Sequence, residues 1–205
     1  MKELTLAEAP CLGSNCAPTE GGRMNLPSDR DELRSRWEAG ERFEFYFFYG
    51  HKKPATGVDA SCFSQWFDAG FDIDGIHYPT SEHWMMAEKA RLFGDDAMLK
   101  AILEAPDPKS AKAFGRKVQE FDQDVWVAER VAIVTRGNDA KFEQNSELRE
   151  FLESTKGTIL VEAAGRDVIW GIGLGKNNEK SQTPVSWRGR NLLGFVLTNV
   201  RERLV

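Results

Sequence analysis

The stretch Pro79-Thr80-Ser81-Glu82-His83-Trp84-Met85-Met86-Ala87-Glu88-Lys89-Ala90 is where the chain changes texture, and its reading decides the fold. Thr80 or Ser81 offers a side-chain oxygen to the first free backbone N–H groups, and the residues that follow keep a helical period through 93. Upstream the chain is strand-like: 43–49 is dense in aromatic residues, and 71–78 alternates apolar and polar around Gly75, as a short hairpin or bulged strand does. Downstream it is mostly helical. Helices are expected over 81–93, 95–103, 109–118, 125–136, 146–154 and 191–204, parted by turns rich in Gly, Pro and Asp. A short earlier helix runs from a Ser28 cap to 37, with Gly40 ending it. Residues 159–163 form the best remaining strand, and the Gly-rich run 171–178 is a loop. This order predicts an α+β fold, a helix-rich single domain with a small β-sheet, and argues against an alternating βαβ doubly wound one. Residues 1–27 carry much Gly, Pro, Ser and Asn without a sustained period and read as a flexible leader, which leaves 28–205 as the domain.

The 205 residues, 41% hydrophobic and 29% charged, have a globular composition that excludes disordered and fibrous classes, and the length suffices to bury a core. A net charge of -5 argues against holding nucleic acid by bulk electrostatics, so tight binding to unmodified strands is not expected. No apolar run approaches the roughly 20 residues of a membrane helix. The amino end also lacks a basic segment followed by an apolar one, so a cytosolic protein with no membrane contact is expected. Cys11, Cys16 and Cys62 are an odd number, against a disulfide framework, and none of the three histidines lies near a Cys pair, so no metal or other cofactor is expected.

On a helix starting near Ser81, Met86, Lys89 and Phe93 fall within about 40° of Glu82, with Met85 and Leu92 just beyond. An acid and a base therefore share the apolar stripe, about 10 Å apart along the axis, a gap a ligand can span. The opposite face carries Glu88 and Arg91 and reads as exposed, with Trp84 out of place on it. A first-turn acid complementing the helix dipole and a lysine snorkelling off a core stripe are the plain structural readings. Against them stands the cost of burying an unpartnered charge, which marks Glu82 and Lys89 as candidates for a functional cleft. His83 points sideways and reads as structural.

Asp167-Val168-Ile169-Trp170-Gly171-Ile172-Gly173-Leu174-Gly175-Lys176 fits neither the P-loop nor the dinucleotide spacing. Its glycines let backbone N–H groups approach an anion, and Trp170 offers a flat surface to a base or sugar; ligand contact and a simple turn weigh equally here. Gly189-Arg190-Asn191 opens the last helix, with Asn191 as a cap and its amino end a place for phosphate. Gly115-Arg116 supplies another Arg in a helix whose lysines, Lys109, Lys112 and Lys117, read mostly as solvated.

In combination the chain resembles the NADAR family, also called YbiA-like. The matching pieces are Phe47-Phe48-Tyr49-Gly50, Phe63-Ser64-Gln65-Trp66, Tyr78-Pro79-Thr80-Ser81-Glu82-His83 with Met85-Met86-Ala87-Glu88-Lys89-Ala90, and Gly115-Arg116. They continue with Lys141-Phe142, Leu160-Val161-Glu162, Asp167 with Trp170-Gly171-Ile172-Gly173, and Gly189-Arg190-Asn191-Leu192-Leu193-Gly194. Residues 1 to about 40 lie outside the resemblance, and the segment between Asn178 and Trp187 is longer than in compact bacterial members.

The resemblance implies cleavage of an N-glycosidic bond in one of two settings: removal of ADP-ribose from ADP-ribosylated guanine in nucleic acid or nucleosides, or hydrolysis of phosphorylated ribosylamine intermediates of riboflavin biosynthesis. For the first it implies a lysine Schiff base. On that footing Lys89 is expected as nucleophile and Glu82 as acid/base, with Asp167 positioning ribose hydroxyls. Trp170 is expected to stack on the base or wall the sugar. Tyr49, Gly50, Trp66, Met86, Arg116, Gly171, Gly173 and Asn191 are expected to contact the ligand. The longer loop before Trp187 and the arginines near Arg188 and Arg190 favour the larger, more anionic ADP-ribosyl ligand. A non-catalytic module that binds ADP-ribose is the rival from another class, and the pairing of Glu82 with Lys89 favours an enzyme.

Overall fold

The computed structural model describes residues 25–204. Most of the leader expected over 1–27, with Cys11 and Cys16, lies outside the described residues. Among the described residues two strand pairs, seven α-helices and three short 3-10 helices make up the architecture, an α+β arrangement as expected. Strands β1 (Glu44–Phe48) and β4 (Thr158–Glu162) run parallel, in register from Glu44↔Thr158 to Phe48↔Glu162. The strand content is small, as expected, and is divided into two pairs, since β2 (Phe71–Ile73) and β3 (Ile76–Tyr78) form a separate antiparallel hairpin. Asp74 and Gly75 both take positive φ at its turn, 52° and 76°, the handedness that matches the twist of paired strands.

Strand alternation divides the core. Ile159 and Val161 face one cluster with Leu33, Ile172, Leu174, Trp187 and Phe195, while Leu160 faces the larger cluster with Phe48, Phe63, Trp84 and Leu197. Helix α1 (Arg30–Glu38) covers the smaller cluster through Leu33. Its cap is Asp29, whose carboxylate accepts from the N–H groups of Asp31 and Glu32; Ser28, the expected cap, instead donates to Glu32.

The larger cluster is organised around α2 (Ser81–Leu92), packed by α3 (Asp96–Leu103), α4 (Pro108–Gly115) and α5 (Gln123–Gln144); α6 (Ser146–Ser154) and α7 (Leu192–Leu204) close it. Two expectations change here for one reason. The face of α2 read as exposed is buried at Trp84, and α5 does not end at 136 but runs through Gly137. Gly137 leaves room for the Trp84 ring: a Cβ there would lie 2.2 Å from Trp84 Cδ1. The indole N–H donates to the Ile133 carbonyl at 2.7 Å. The glycine that reads as a helix stop is a socket for a tryptophan. Helix α4 ends at Gly115, short of the expected 118, with Arg116 as its carboxyl-terminal cap.

Buried polar groups pin the irregular segments. Lys141 of α5, wholly buried, donates to the carbonyls of Cys62 (2.6 Å) and Ser64 (3.0 Å), and burial pushes its ammonium down to about 8. Arg201 donates to the Thr155 and Thr158 carbonyls at 2.7 Å, tying α7 to the turn before β4. No helix among the described residues is long and apolar enough to cross a membrane.

Candidate active site

The site lies past the carboxyl ends of β1 and β4, between α2, α4, the first turns of α5 and the 163–178 loop. Thr80 caps α2: its Oγ1 accepts from the His83 N–H and contacts His83 Nδ1 at 2.8 Å, while His83 Nε2 meets the Ala105 carbonyl at 3.2 Å. Both ring nitrogens are occupied and burial depresses the imidazole, so His83 holds α2 to the start of the α4 segment, a structural part.

That cap places Glu82 in the first turn, pointing inward and only 2% exposed. Its Oε1 is buried with no hydrogen-bond donor. Burial raises its pKa, against the pull of Lys112, hydrogen bonding from Trp66 and the charge of Arg116. Lys112 Nζ stands 3.7 Å from the carboxylate and 5.6 Å from the centre of the Trp66 ring, so a half-exposed cation lies over a buried acid.

Two turns along α2, Lys89 donates to the Gly115 carbonyl at 2.8 Å and lies over the Phe121 ring at 4.1 Å, with Trp126 at 5.8 Å. Desolvation lowers its pKa, with no acid countering it. Helices α2 and α4 meet closely because position 115 is Gly: a Cβ would lie 2.1 Å from Met86 Sδ. Glu82, Met86, Lys89, Lys112, Arg116, Trp126 and Trp170 line one cavity of about 130 Å³. The stripe of α2 thus delivers acid and base to a single chamber.

Beyond Lys112 and Arg116, which belong to both walls, opens a cleft of about 1290 Å³ lined by Tyr49, Arg166, Asp167, Val168, Ile169, Lys176 and Asn178. Tyr49, 72% exposed, stands on its rim with the exposed side chains of Val168 and Ile169. Asp167 faces this cleft, but its Oδ1 accepts from the N–H groups of Ile169 and Trp170 at 2.8 Å. The carboxylate therefore shapes the loop that carries Trp170 and has one oxygen left for a ligand.

Of the residues expected to touch ligand, Tyr49, Met86, Arg116, Asp167 and Trp170 join Glu82 and Lys89 around the two cavities, and Trp66 lies against Glu82 and Lys112. Gly50, at φ 86°, turns the chain after β1. Gly171, Gly173 and Asn191 stand behind the cleft. Gly171 is packed against the Glu162 carbonyl, and Gly173, at φ 68°, against Arg188 and Val168. Asn191 is fully buried with φ 54°; its Oδ1 accepts from Glu162 N–H, and its Nδ2 donates to the Leu160 carbonyl at 2.9 Å. Its side chain staples β4 to α7 and neither caps α7 nor reaches the ligand space.

Lys112, Trp126 and Glu162 also stand close to Glu82 and Lys89, and their sequence neighbourhoods mark them poorly. Lys112 reads as solvated; its spacing of four from Arg116, which puts both on one helix face, is the available signal. Trp126 faces Lys89 from the first turn of α5, and nothing in its neighbourhood of valines and charges announces that. Glu162 ends β4 as an acid after an apolar run, and burial, reinforced by the charges of Asp167 and Glu82, pushes its carboxyl up to about 8. Among the described residues no cluster of three His, Cys, Asp or Glu side chains could hold a metal ion.

Residues 47–205 match the NADAR domain. An N-glycosidase of Acanthamoeba polyphaga mimivirus is 40% identical over 167 residues, covering 79% of this chain and 97% of that protein. The N-glycosidase YbiA of Escherichia coli is 32% identical over 150 residues, 73% of this chain and 85% of YbiA. A riboflavin biosynthesis protein of Vibrio vulnificus is 30% identical over 141 residues, 69% of this chain but 35% of that longer protein. The NMR structure of E. coli YbiA superposes with a TM-score of 0.60 at 28% identity, covering 80% of this chain and 86% of that one. The domain match takes in the last two residues of β1, all of β4, every helix that lines the site and the loop of Asp167 and Trp170, and on these grounds the chain belongs to the NADAR domain family.

Proposed function

We propose that this chain is an N-glycosidase that removes ADP-ribose from ADP-ribosylated guanine, in nucleosides or nucleic acid, through a Schiff base on Lys89. The observation that carries the reading is the setting of the Lys89 amine. It lies in an aromatic corner, desolvated and without an acid against it, in the same small chamber as a buried carboxyl. The N-glycosidase names of the mimivirus and E. coli relatives support the bond class.

Desolvation shifts the Lys89 amine toward its neutral form, which has a lone pair to offer, while the Gly115 carbonyl takes one N–H and orients it. The lone pair forms a bond to the anomeric carbon as the C–N bond to the base breaks. Its electron pair leaves with the base nitrogen, which takes the proton of Glu82, kept available by burial. The attached amine returns one proton to Glu82. Its lone pair then opens the sugar ring to an iminium, and the ring oxygen takes the second amine proton. Transfer of that second proton leaves a neutral imine; water adds across its C=N bond, and loss of the Lys89 amine regenerates enzyme and free ADP-ribose.

The wide cleft supports a diphosphate ligand, because Lys112, Arg116, Arg166 and Lys176 supply cations along its wall and its volume exceeds a usual small-molecule pocket of roughly 300–1,000 Å³. The name of the Vibrio relative supports a second reading, a phosphorylated ribosylamine of riboflavin biosynthesis cleaved in the same chamber. Base release is measured side by side on ADP-ribosyl guanosine and the pyrimidine ribosylamine phosphate, with borohydride trapping in parallel. Release from the first, with a mass adduct on Lys89 that is missing in Lys89→Ala, is the expected result. Preference for the ribosylamine selects the second reading, and a thermal shift with ADP-ribose but no base release from either substrate leaves a non-catalytic binding module.

A further inference from the structure

The turn 188–190, just before α7, lies flush against the loop that walls the wide cleft. The N–H groups of Arg188 and Gly189 both donate to the Ile172 carbonyl, at 3.0 and 2.9 Å, and the Arg190 N–H donates to the Val168 carbonyl at 3.0 Å. A Cβ at Gly189 would lie 2.1 Å from the Gly171 oxygen and 2.8 Å from Val168 Cα, so only glycine lets the two segments approach this closely. Arg30 of α1 adds a bond from its guanidinium to the Gly189 carbonyl at 3.3 Å. The backbone of the turn is therefore held by two elements, and its two arginines are placed with it. Both are exposed, and neither guanidinium has a hydrogen bond or ion pair among the described residues. Of the acids nearby, Asp31 is paired with Arg30 at 3.6 Å, and Asp167 spends one oxygen on two backbone N–H groups. The cations of the cleft are Lys112, Arg116, Arg166 and Lys176, and neither Arg188 nor Arg190 lines it. Val168 belongs to both places: it lines the cleft, and its carbonyl holds Arg190. Its side chain is 51% exposed and that of Ile169 40%, an apolar pair at the cleft mouth with Tyr49 on the same rim.

We propose that Arg188 and Arg190 hold phosphodiesters of a single-stranded polynucleotide whose modified guanine enters the cleft, with Tyr49, Val168 and Ile169 receiving the bases that flank it. The proposal rests on the N-glycosidase reading and deepens it, by assigning a strand as substrate in preference to a free nucleoside. A nucleoside substrate ends within the cleft, where four cations already serve its diphosphate, and leaves the two arginines of the turn with no anion to meet. A strand continues past the rim, and each further nucleotide brings a phosphate charge suited to a guanidinium. An exposed tyrosine ring and an apolar pair suit bases that are already unstacked and have a flat face to lay down. A duplex offers no such face, and a paired guanine reaches the chamber of Glu82 and Lys89 only by leaving the stack. Two phosphate contacts on a chain of net charge -5 bind an unmodified strand weakly, so the modified guanine selects the site and the arginines add to its hold.

The test compares ADP-ribosylated guanosine with a short single-stranded oligonucleotide carrying one ADP-ribosylated guanine, in wild type and in a protein with Arg188→Gln and Arg190→Gln. Both side chains are exposed and unbonded, so the variant is expected to keep its melting temperature. Its KM for the oligonucleotide is expected to rise about tenfold, while that for the nucleoside changes by less than about twofold. The log–log dependence of the oligonucleotide KM on salt, read between about 50 and about 200 mM, should become shallower by about 1.4, two contacts at about 0.7 each. Equal rises for both substrates overturn the proposal and move the arginines to the ADP-ribosyl group; no change with either overturns it as well. Annealing the complementary strand is expected to lower kcat/KM by at least about tenfold, and unchanged turnover on the duplex overturns the assignment to single strands. A second measurement needs no turnover: fluorescence anisotropy of a labelled, unmodified single strand. Wild type is expected to bind it at low salt with a Kd on the order of 10⁻⁴ M, and the variant about tenfold more weakly. Equal binding by the two proteins refutes the strand path. Absence of turnover on both ADP-ribosyl substrates counts against the glycosidase reading alone, since the anisotropy difference decides the surface without it.

Discussion

Gly137→Ala separates helix propensity from packing, because the two predict opposite signs. Alanine in the middle of a 22-residue helix should gain about 1 kcal/mol over glycine by propensity alone. In this fold the new methyl would lie 2.2 Å from Trp84 Cδ1, 2.6 Å from Nε1 and 3.0 Å from Cγ. A rigid indole cannot step aside as the end of a flexible chain can, so either the ring or α5 must shift. Overpacking of this kind costs about 3 kcal/mol, and displacement of the ring adds about 1 kcal/mol from its bond to the Ile133 carbonyl. Less the propensity gain, the net is a loss of about 3 kcal/mol, or a fall in Tm of about 10 °C for a domain of this size. Urea denaturation monitored by tryptophan fluorescence and far-ultraviolet circular dichroism gives the free energy. Trp84→Ala by itself should cost about 4 kcal/mol, and adding Gly137→Ala to it should cost nothing further, since the methyl then enters space the ring has left. A Gly137→Ala protein as stable as wild type, or two costs that simply add, refutes the socket.

Three further outcomes follow from the same geometry. Lys141 has a folded value of about 8 against an ordinary 10.5, so the folded state binds fewer protons than the unfolded chain between those values. Its penalty is complete below about pH 8 and is relieved as pH rises toward 10.5, by up to about 3 kcal/mol; a Lys141→Met protein measured by denaturation at pH 7 and pH 10 should lack that rise. Lys89→Met should lower base release by at least about 1,000-fold, since the covalent route is gone, yet leave the melting temperature within a few degrees, since an ammonium with no acid partner in an aromatic corner adds little stability; a destabilised protein would show that Lys89 is structural. Arg166→Ala combined with Lys176→Ala should raise KM for an ADP-ribosyl substrate about tenfold or more while changing that for a ribosylamine monophosphate much less; equal effects on both remove the wide cleft from diphosphate recognition.

Placement is legible in the sequence where a local rule decides the geometry. Helical period alone put Glu82, Met86 and Lys89 on one stripe, and they do line one chamber. Placement is not legible where a partner distant in sequence decides. Trp84 looks misplaced on α2 until Gly137 of α5 is seen beneath it, and Gly137 looks like a stop until Trp84 is seen above it. Asn191 has the chemistry of a cap, but β4 offers a nearer pair of backbone groups and takes its amide. Lys112 and Glu162 carry no local sign of function, because what matters is that α4 and β4 bring them to the same buried acid.

The parallel pairing of β1 with β4 also sets the order in which the molecule can become competent. Glu44 must find Thr158 across a chain that contains five of the seven helices, so joining the strands closes a loop on the order of 100 residues, at about 4 kcal/mol of chain entropy. Contacts among α2, α3 and α4 are local and carry no such cost. The helical part therefore has the means to assemble first, with Glu82 and Lys89 already on their stripe, while Glu162, Asp167 and the cleft wall arrive only when the ends of the chain meet. In a refolding experiment, helical signal should return before ligand binding, and the interval between them is the time the two strands take to find each other.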